Sequence, residues 1–462
     1  MGILSSLKEA SLTRKIGIVF AVALLARIVV LAWLLATGGE QQIVFGDTTR
    51  YLTLADNVLS GVGFMYDGIL ETFRLPGYPA FLMLLRILHL PLVAGSLIQI
   101  VIASCFAVWA LWFARVRLQL SQRVSFFVGL VVAIEPIQVY YSVVLLPDVL
   151  FTAGFLVAFT YALKWTDSGR IRDAVIAAIA IGVADYFRPA LIYYPIFLAL
   201  GFIAFAVMRK TNVKKAAIAS AVVGVISFAI MAPWYVRNQV QFGHFALMSM
   251  KEYTLYVYGA ASIDAAARGV SYETSKQALL AKARAEAPNP NIATFDNGPY
   301  YAARAKEIIL VHPVIFVKLY ALGLTSFWTA GNYQYLFKDM GLLAPPSQSI
   351  SYTMLLGSQG PVVAAKTFLS KITEPFILTA LFDRLFWASV FALSLAGLYR
   401  YRRSAVAWLT LITYAYFSAT ILSTVIGVEA RHRYALIPIM IAFAVAGAVA
   451  AYKRFSRTIS DA

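Results

Sequence analysis

The sequence predicts an all-α polytopic membrane protein. Three observations carry that expectation. Of 462 residues, 61% are apolar and 13% are charged, against about 45–50% and about 25% in soluble domains. The apolar residues fall in runs of about 20, the length that crosses a bilayer as a helix. Short basic clusters lie at alternate ends of successive runs, as the positive-inside rule requires.

The same composition excludes disorder, a disulfide scaffold and a coiled coil. The single cysteine, Cys105, makes no internal bridge and leaves the redox compartment unread. The net charge is +17, from 39 basic and 22 acidic residues. In a soluble chain that excess would suggest nucleic acid. Here about half of the basic residues sit in short clusters between apolar runs, so no nucleic-acid partner is expected.

Taken in order, spans are expected at 16–37, 92–114, 124–145, 147–165, 173–188, 190–208, 216–234, 376–399, 405–426 and 434–452. The first follows Lys8, Arg14 and Lys15 and reads as an uncleaved anchor. The other clusters are Arg115/Arg117/Arg123, Arg170/Arg172, Arg209/Lys210/Lys214/Lys215, Arg400/Arg402/Arg403 and Lys453/Arg454/Arg457. Their alternation puts both termini in the cytoplasm. Residues 1–234 form an N-terminal transmembrane module with an outer loop at 38–91. Residues 235–375 form an extracytoplasmic or interfacial region, and 376–462 the C-terminal helices. Segment 271–307, with Pro288 and Pro290 as breakers, reads as a small helical hairpin. Segment 308–330 is ambiguous, and an interfacial or re-entrant helix is favoured over a span.

The 38–91 loop carries the chemistry. Asp47 is placed to cap a helix beginning at Thr48. Over 48–60, Tyr51, Leu54, Ala55 and Val58 share one face, and 77–90 repeats the amphipathic design. Asp47 and Arg50 are three residues apart, so one helical turn can present both. Glu71 and Arg74 repeat the spacing before Pro76. An N-cap with its ion-pair partner is the plain alternative for the first pair. Further charge gathers on the same side: Asp148, Arg188, Arg237 with Asn238, and Glu429, Arg431, His432 and Arg433. Snorkelling and capping suit Arg237 and Arg86, but acids cannot snorkel far. Ionisable groups at membrane depth mark a site or a pathway. Arginines offer bidentate donors to a phosphate, and a carboxylate can act as general base on a hydroxyl. Together they suggest chemistry on a lipid phosphate.

The string GDTTRY…LADNVLSGVGF…ETFRLPGYPAFL resembles the first outer loop of bacterial GT-C fold glycosyltransferases that use polyprenyl-phosphate sugars. The similarity is to the branch of protein mannosyltransferases and lipid A aminoarabinose transferases. Asp47, Arg50 and Tyr51 match the start of that pattern. Glu71, Arg74, Pro76, Gly77 and Tyr78 match its turn, with Leu75 inserted. LPDVLF, FRPAL, PWYVRNQVQFG and EARHRY followed by Pro438 are similar to later landmarks, so the resemblance covers nearly the whole chain.

The resemblance implies a GT-C-like helix bundle in the bacterial inner membrane with an extracytoplasmic site. It implies an inverting transferase with a polyprenyl-phosphate sugar donor and a glycan, lipid or protein acceptor. Asp47 becomes the leading base, with Asp148 and Glu71 as further acids. Arg50, Arg74, Arg188, Arg431 and Arg433 become candidates for the donor phosphate. Tyr51, Tyr78, Glu429 and His432 are further site candidates. Thr48 stands where relatives often have Glu, which counts against an acidic-pair metal site. Asp47 with Glu71 is the pair left to hold a divalent ion, whereas His312, before Pro313 on an apolar segment, reads as structural. A polysaccharide polymerase or ligase and a lipid-linked-glycan transporter are the competing classes. No internal duplication of the transporter kind is visible.

Overall fold

The computed structural model describes residues 12–292, 294–345, 355–357, 359–426 and 430–460. Among them, seven helices are long and apolar enough to cross a membrane: Leu12–Ile43, Leu92–Arg117, Asp148–Ser168, Val213–Phe242, Pro375–Arg400, Ala405–Ser423 and Ala430–Ser456. Two bent helix pairs raise the number to nine if each is one span. The chain is therefore an all-α polytopic membrane protein, with one two-stranded ribbon, Met65–Tyr66 against Ile69–Leu70, among the described residues.

Ten straight spans were expected, and three of them differ. The 124–145 segment breaks into Gln122–Ile134 and Pro136–Val143, bent by 47°. Proline lacks the N–H that would continue the helix and biases the preceding residue to extended backbone, and Glu135 has φ −62° and ψ 125°. The break is satisfied from both sides. The Glu135 carboxylate accepts from the N–H groups of Ile137 and Gln138 at 3.1 and 2.8 Å. Arg27 of the first helix, fully buried, donates to the carbonyls of Ala133 and Gln138 at 2.9 and 3.2 Å. The 173–188 and 190–208 segments form helices of 17 and 15 residues, Ile171–Phe187 and Tyr194–Met208. At about 1.5 Å per residue these are shorter than a hydrocarbon core of about 30 Å.

The bundle has two chemically distinct ends. Arg117 pairs with Asp167, Arg209 donates to the Arg403 carbonyl and Tyr401 to the Leu118 carbonyl, so the basic connections gather at one end. The Asp148–Ser168 helix runs from the opposite end to this one, and its 21 residues extend about 30 Å.

At that opposite end the first loop folds onto the bundle. The helices Asp47–Leu59 and Gly77–Ile87 turn Tyr51, Leu54 and Ala55, and Tyr78, Leu82 and Leu85, into the protein core. Their apolar faces are thus covered by protein, while Leu84, Ile87 and Leu88 stay exposed. Close backbone contact needs Gly77: a Cβ there would lie 2.5 Å from the Tyr186 carbonyl oxygen. The extended connection before Asp148 is stitched to the same loop, since Leu145 donates to Ile43 at 2.8 Å and accepts from the Thr48 hydroxyl at 2.6 Å.

Segment 271–307 does fold as two helices, Tyr272–Glu286 and Gly298–Val311. Both close on Tyr256, with Leu280, Ala283, Tyr301 and Ala305 in one small core. The ambiguous 308–330 stretch crosses a 102° bend between Gly298–Val311 and Pro313–Thr329, where His312 precedes Pro313.

Pro375–Arg400 crosses Ile437–Ser460 at a pair of glycines. A Cβ on Gly447 would lie 2.1 Å from the Leu393 carbonyl oxygen, and one on Gly397 2.1 Å from that of Phe443. Gly447→Val should push these helices apart and destabilise the protein by about 1–3 kcal/mol. Thermal denaturation in detergent reads the effect, and an unchanged melting temperature would contradict the crossing.

Candidate functional site

Asp47 opens its helix after Gly46 and makes no side-chain cap to it. The expected capping role passes to nothing else there, because Thr48 turns inward to accept from the Phe45 N–H at 3.1 Å. The Asp47 carboxylate instead points across the site. Its Oδ1 accepts from Arg74 Nη2 at 2.7 Å and its Oδ2 from Arg431 Nη2 at 3.0 Å.

The two acid–arginine pairs expected from spacing have exchanged partners. Arg50 does not meet Asp47; it makes a bidentate pair with Glu71, at 2.6 and 2.9 Å. Glu71 is buried, and its Oε1 also accepts from the backbone N–H groups of Phe73, at 2.5 Å, and Arg74, at 3.1 Å. The reason is local geometry. Residues 71–76 form an irregular turn rather than a helix, so the three-residue spacing there does not place two side chains on one face. Leu75, the inserted residue, is buried against Met231 and Leu247 and anchors the turn. Arg74 lies over the Tyr51 ring, 5.7 Å from its centroid. Tyr51 in turn meets Tyr78 edge-on at 5.1 Å, and the Tyr78 hydroxyl donates to Gln99 at 2.8 Å.

A third acid joins through Arg431. Asp148 starts its helix buried and pairs with Arg188. Arg188 Nη1 also donates to the Arg431 carbonyl at 3.4 Å. Asp47, Glu71 and Asp148 thus lie in one network with Arg50, Arg74, Arg188 and Arg431. Arg237, assigned by sequence to snorkelling, belongs to it too. Its Nη1 donates to the Glu71 carbonyl at 3.0 Å, and its guanidinium packs on Trp234 at 4.7 Å. Five guanidiniums face three carboxylates, which leaves positive charge in excess. The buried Nε of Arg74 has no hydrogen-bond partner among the described residues.

Arg433 is not part of this network. The Ala430–Leu436 segment is a 3₁₀ helix, with about three residues per turn, so side chains two apart leave it in different directions. Arg431 reaches Asp47, whereas Arg433 enters the bundle, fully buried. It donates to the Phe327 carbonyl and lies 4.2 Å from the Trp387 ring centroid, with Asp383 and Glu135 as the acids whose charge acts on it. Those acids are themselves held. Tyr333 donates to Glu135 at 2.9 Å, and Asp383 accepts from the N–H groups of Gly331 and Asn332, both at 2.8 Å. The sequence reading missed Arg27, Glu135 and Asp383; Arg27 and Glu135 stand alone, and Asp383 stands beside Arg384, inside apolar runs, which was the available signal. His432 is half-buried between the two arginines. Glu429 lies outside the described residues.

No group of three or more His, Cys, Asp and Glu side chains among the described residues could hold a metal. Asp47 and Glu71 commit their oxygens to arginines and backbone N–H groups, so that pair does not fit a divalent ion. Burial alone would raise the Asp47 carboxyl, but Arg74 and Arg431 overcome it and hold it below its ordinary value of 3.8. No known family model matches the chain, and no curated protein is similar enough to match it.

Two outcomes follow. A depressed carboxyl stabilises the folded state fully above its unfolded value and loses that contribution as pH falls through the folded one. Asp47→Asn should therefore lower the melting temperature at neutral pH, and the gap to wild type should close on acidification below pH 3.8. A gap that persists unchanged would dismiss the ion cluster as its source. Arg433→Met removes the cation beside two buried acids and should destabilise by about 3–5 kcal/mol. A variant that melts like wild type would refute the structural role given to Arg433.

Proposed function

We propose that the chain is an inverting glycosyltransferase of the bacterial plasma membrane. It moves a sugar from a polyprenyl-phosphate donor to an acceptor hydroxyl on the extracytoplasmic side. The observation that carries this reading is the Asp47 carboxylate clamped between Arg74 and Arg431 at the end of the bundle away from the basic connections. That is a carboxylate beside an excess of guanidiniums, the groups that bind a phosphate well, and in this reading they meet the lipid head group.

In this reading Arg74 and Arg431 exchange part of their contact with Asp47 for the donor phosphate, and the unpartnered Nε of Arg74 gives that phosphate a further donor. The acceptor oxygen attacks the anomeric carbon from the face opposite the phosphate. The new carbon–oxygen bond forms as the carbon–phosphate-oxygen bond breaks. The electron pair leaves with the polyprenyl phosphate, and the hydroxyl proton passes to Asp47. Arg74 and Arg431 offset the burial that would raise the Asp47 carboxyl, so it stays ionised at neutral pH, as a base must be. Asp148 serves as a positioning residue: through Arg188 it supports the backbone of Arg431. No step is routed through a metal.

A transporter of lipid-linked glycans is the second reading, favoured by the buried set of Glu135, Asp383 and Arg433 inside the bundle. Chemistry separates the two. Purified protein given radiolabelled polyprenyl-phosphate sugars and candidate acceptors should yield a new glycoside. Asp47→Asn, which keeps the shape but cannot take the proton, should fold, bind donor and lose at least about a hundredfold in turnover. Near-normal turnover in Asp47→Asn with a dead Asp148→Asn would move the base to Asp148. Two active variants would end the mechanism.

A further inference from the structure

A pocket of about 280 Å³ opens beside the ion network, between the Met65–Leu70 hairpin and the loop that holds Asn291 and Ile292. It is lined by Arg50, Tyr66, Asp67, Phe73, Tyr253 and Asn291, among others. We infer that this pocket binds a saccharide unit. In the reaction proposed above, on which this assignment of its role rests, that unit is the acceptor sugar.

Size comes first. Small-molecule sites commonly enclose about 300–1,000 Å³, so this pocket suits a small polar ligand rather than a polyprenyl chain. Its walls suit a ligand with one apolar and one hydroxylated aspect. Phe73 and Tyr253 present tilted rings 5.1 Å apart, and Tyr66 packs under the Arg50 guanidinium at 4.4 Å. A sugar ring sets its C–H face on such rings, whose faces carry negative charge, and directs its hydroxyls outward. Asp67 and Asn291 supply acceptors, and Asn291 a donor, among the lining groups.

Charge argues against a phosphate in this place. Arg50, the cation lining the pocket, is already neutralised by the bidentate Glu71 pair, and the exposed Asp67 would repel an anion. A neutral polyol meets neither difficulty.

The walls are fixed before any ligand arrives. Buried Asn297 accepts from the Asn289 N–H and donates to the carbonyls of Asn289 and Asn291, all at 2.9 Å. The Tyr301 hydroxyl holds the Ile292 carbonyl at 3.0 Å. Asn57 donates to Met65 at 2.8 Å, and an Asp67–Gly68 turn closes the hairpin. Thr72 and Ser249 tie the Phe73 wall to the segment leading to Tyr253, through hydroxyls 2.7 Å apart and a 3.0 Å backbone bond. Such preorganisation leaves little ordering cost for the ligand to offset. The location suits an acceptor. Arg50 stands one helical turn after Asp47, and Glu71 holds the N–H of Arg74, whose side chain holds Asp47.

The test uses the full chain in lipid nanodiscs and saturation-transfer NMR with methyl glycosides of common hexoses and pentoses. At least one glycoside should receive magnetisation from the protein's aromatic protons. Tyr66→Ala and Asn291→Ala should each weaken that binding about tenfold, the loss expected for one stacking or hydrogen-bonding contact, with the melting temperature as the folding control. Should either variant unfold, Ile69→Trp, which fills the pocket from its exposed rim, must give the same loss. Binding of capped tripeptides in place of glycosides overturns the inference, and so does glycoside binding that no pocket variant changes. Sugar transfer from a polyprenyl-phosphate donor is measured on the same preparation. Transfer without pocket-dependent glycoside binding overturns the pocket alone. Pocket-dependent binding without transfer to any acceptor supports the pocket and removes the reaction.

Discussion

A carboxylate taken from bulk water must keep a cation or several hydrogen-bond donors within reach or give up its charge. That constraint organises the end of the molecule where the first loop folds. Asp47 is met by Arg74 from its own loop and by Arg431 from near the other end of the chain. Asp148 is met by Arg188, Glu71 by Arg50. Each pair joins segments that hydrophobic packing alone would leave free to slide, because apolar contacts are not directional. Loop, helix starts and the 430–436 segment are thereby brought to one register around a single carboxylate.

The same demand acts deeper in the bundle with a different outcome. Arg27 closes over the break at Glu135, and Arg433 answers Glu135 and Asp383. There the partners are mostly backbone N–H groups and carbonyls, and the arrangement holds helices together. At the loop end the partners are mostly side chains that remain partly accessible, with Asp47 at 30% side-chain exposure. Accessibility separates the more open network at the loop end from the buried one that braces the bundle.

Much of this was legible in the sequence. Apolar runs and basic clusters announced the membrane class, and periodicity announced both amphipathic helices of the first loop. Asp47, Glu71, Asp148, Arg50, Arg74, Arg188 and Arg431 were named from residue type and position. Their pairing was not legible. Spacing of three predicts a partner only on a helix, and Glu71 precedes an irregular turn. Arg431 and Arg433 looked equivalent until the local 3₁₀ geometry sent them apart. Arg237 looked like a snorkelling cation because its target is a backbone carbonyl, which no side-chain pattern reveals. Hydropathy counted one span over 124–145 because averaging across 20 residues hides a single Glu-Pro step.

The short helix from Ala430 to Leu436 carries a further implication for how this chain can drift in sequence. Its arginines face two environments, one wet and one dry, and a rotation of about 120° per residue separates them. Adding or deleting one residue between Arg431 and Arg433 would turn the dry arginine toward water or the wet one toward apolar side chains. The spacing of these two arginines should then be the least elastic feature of the region, a ruler rather than a motif.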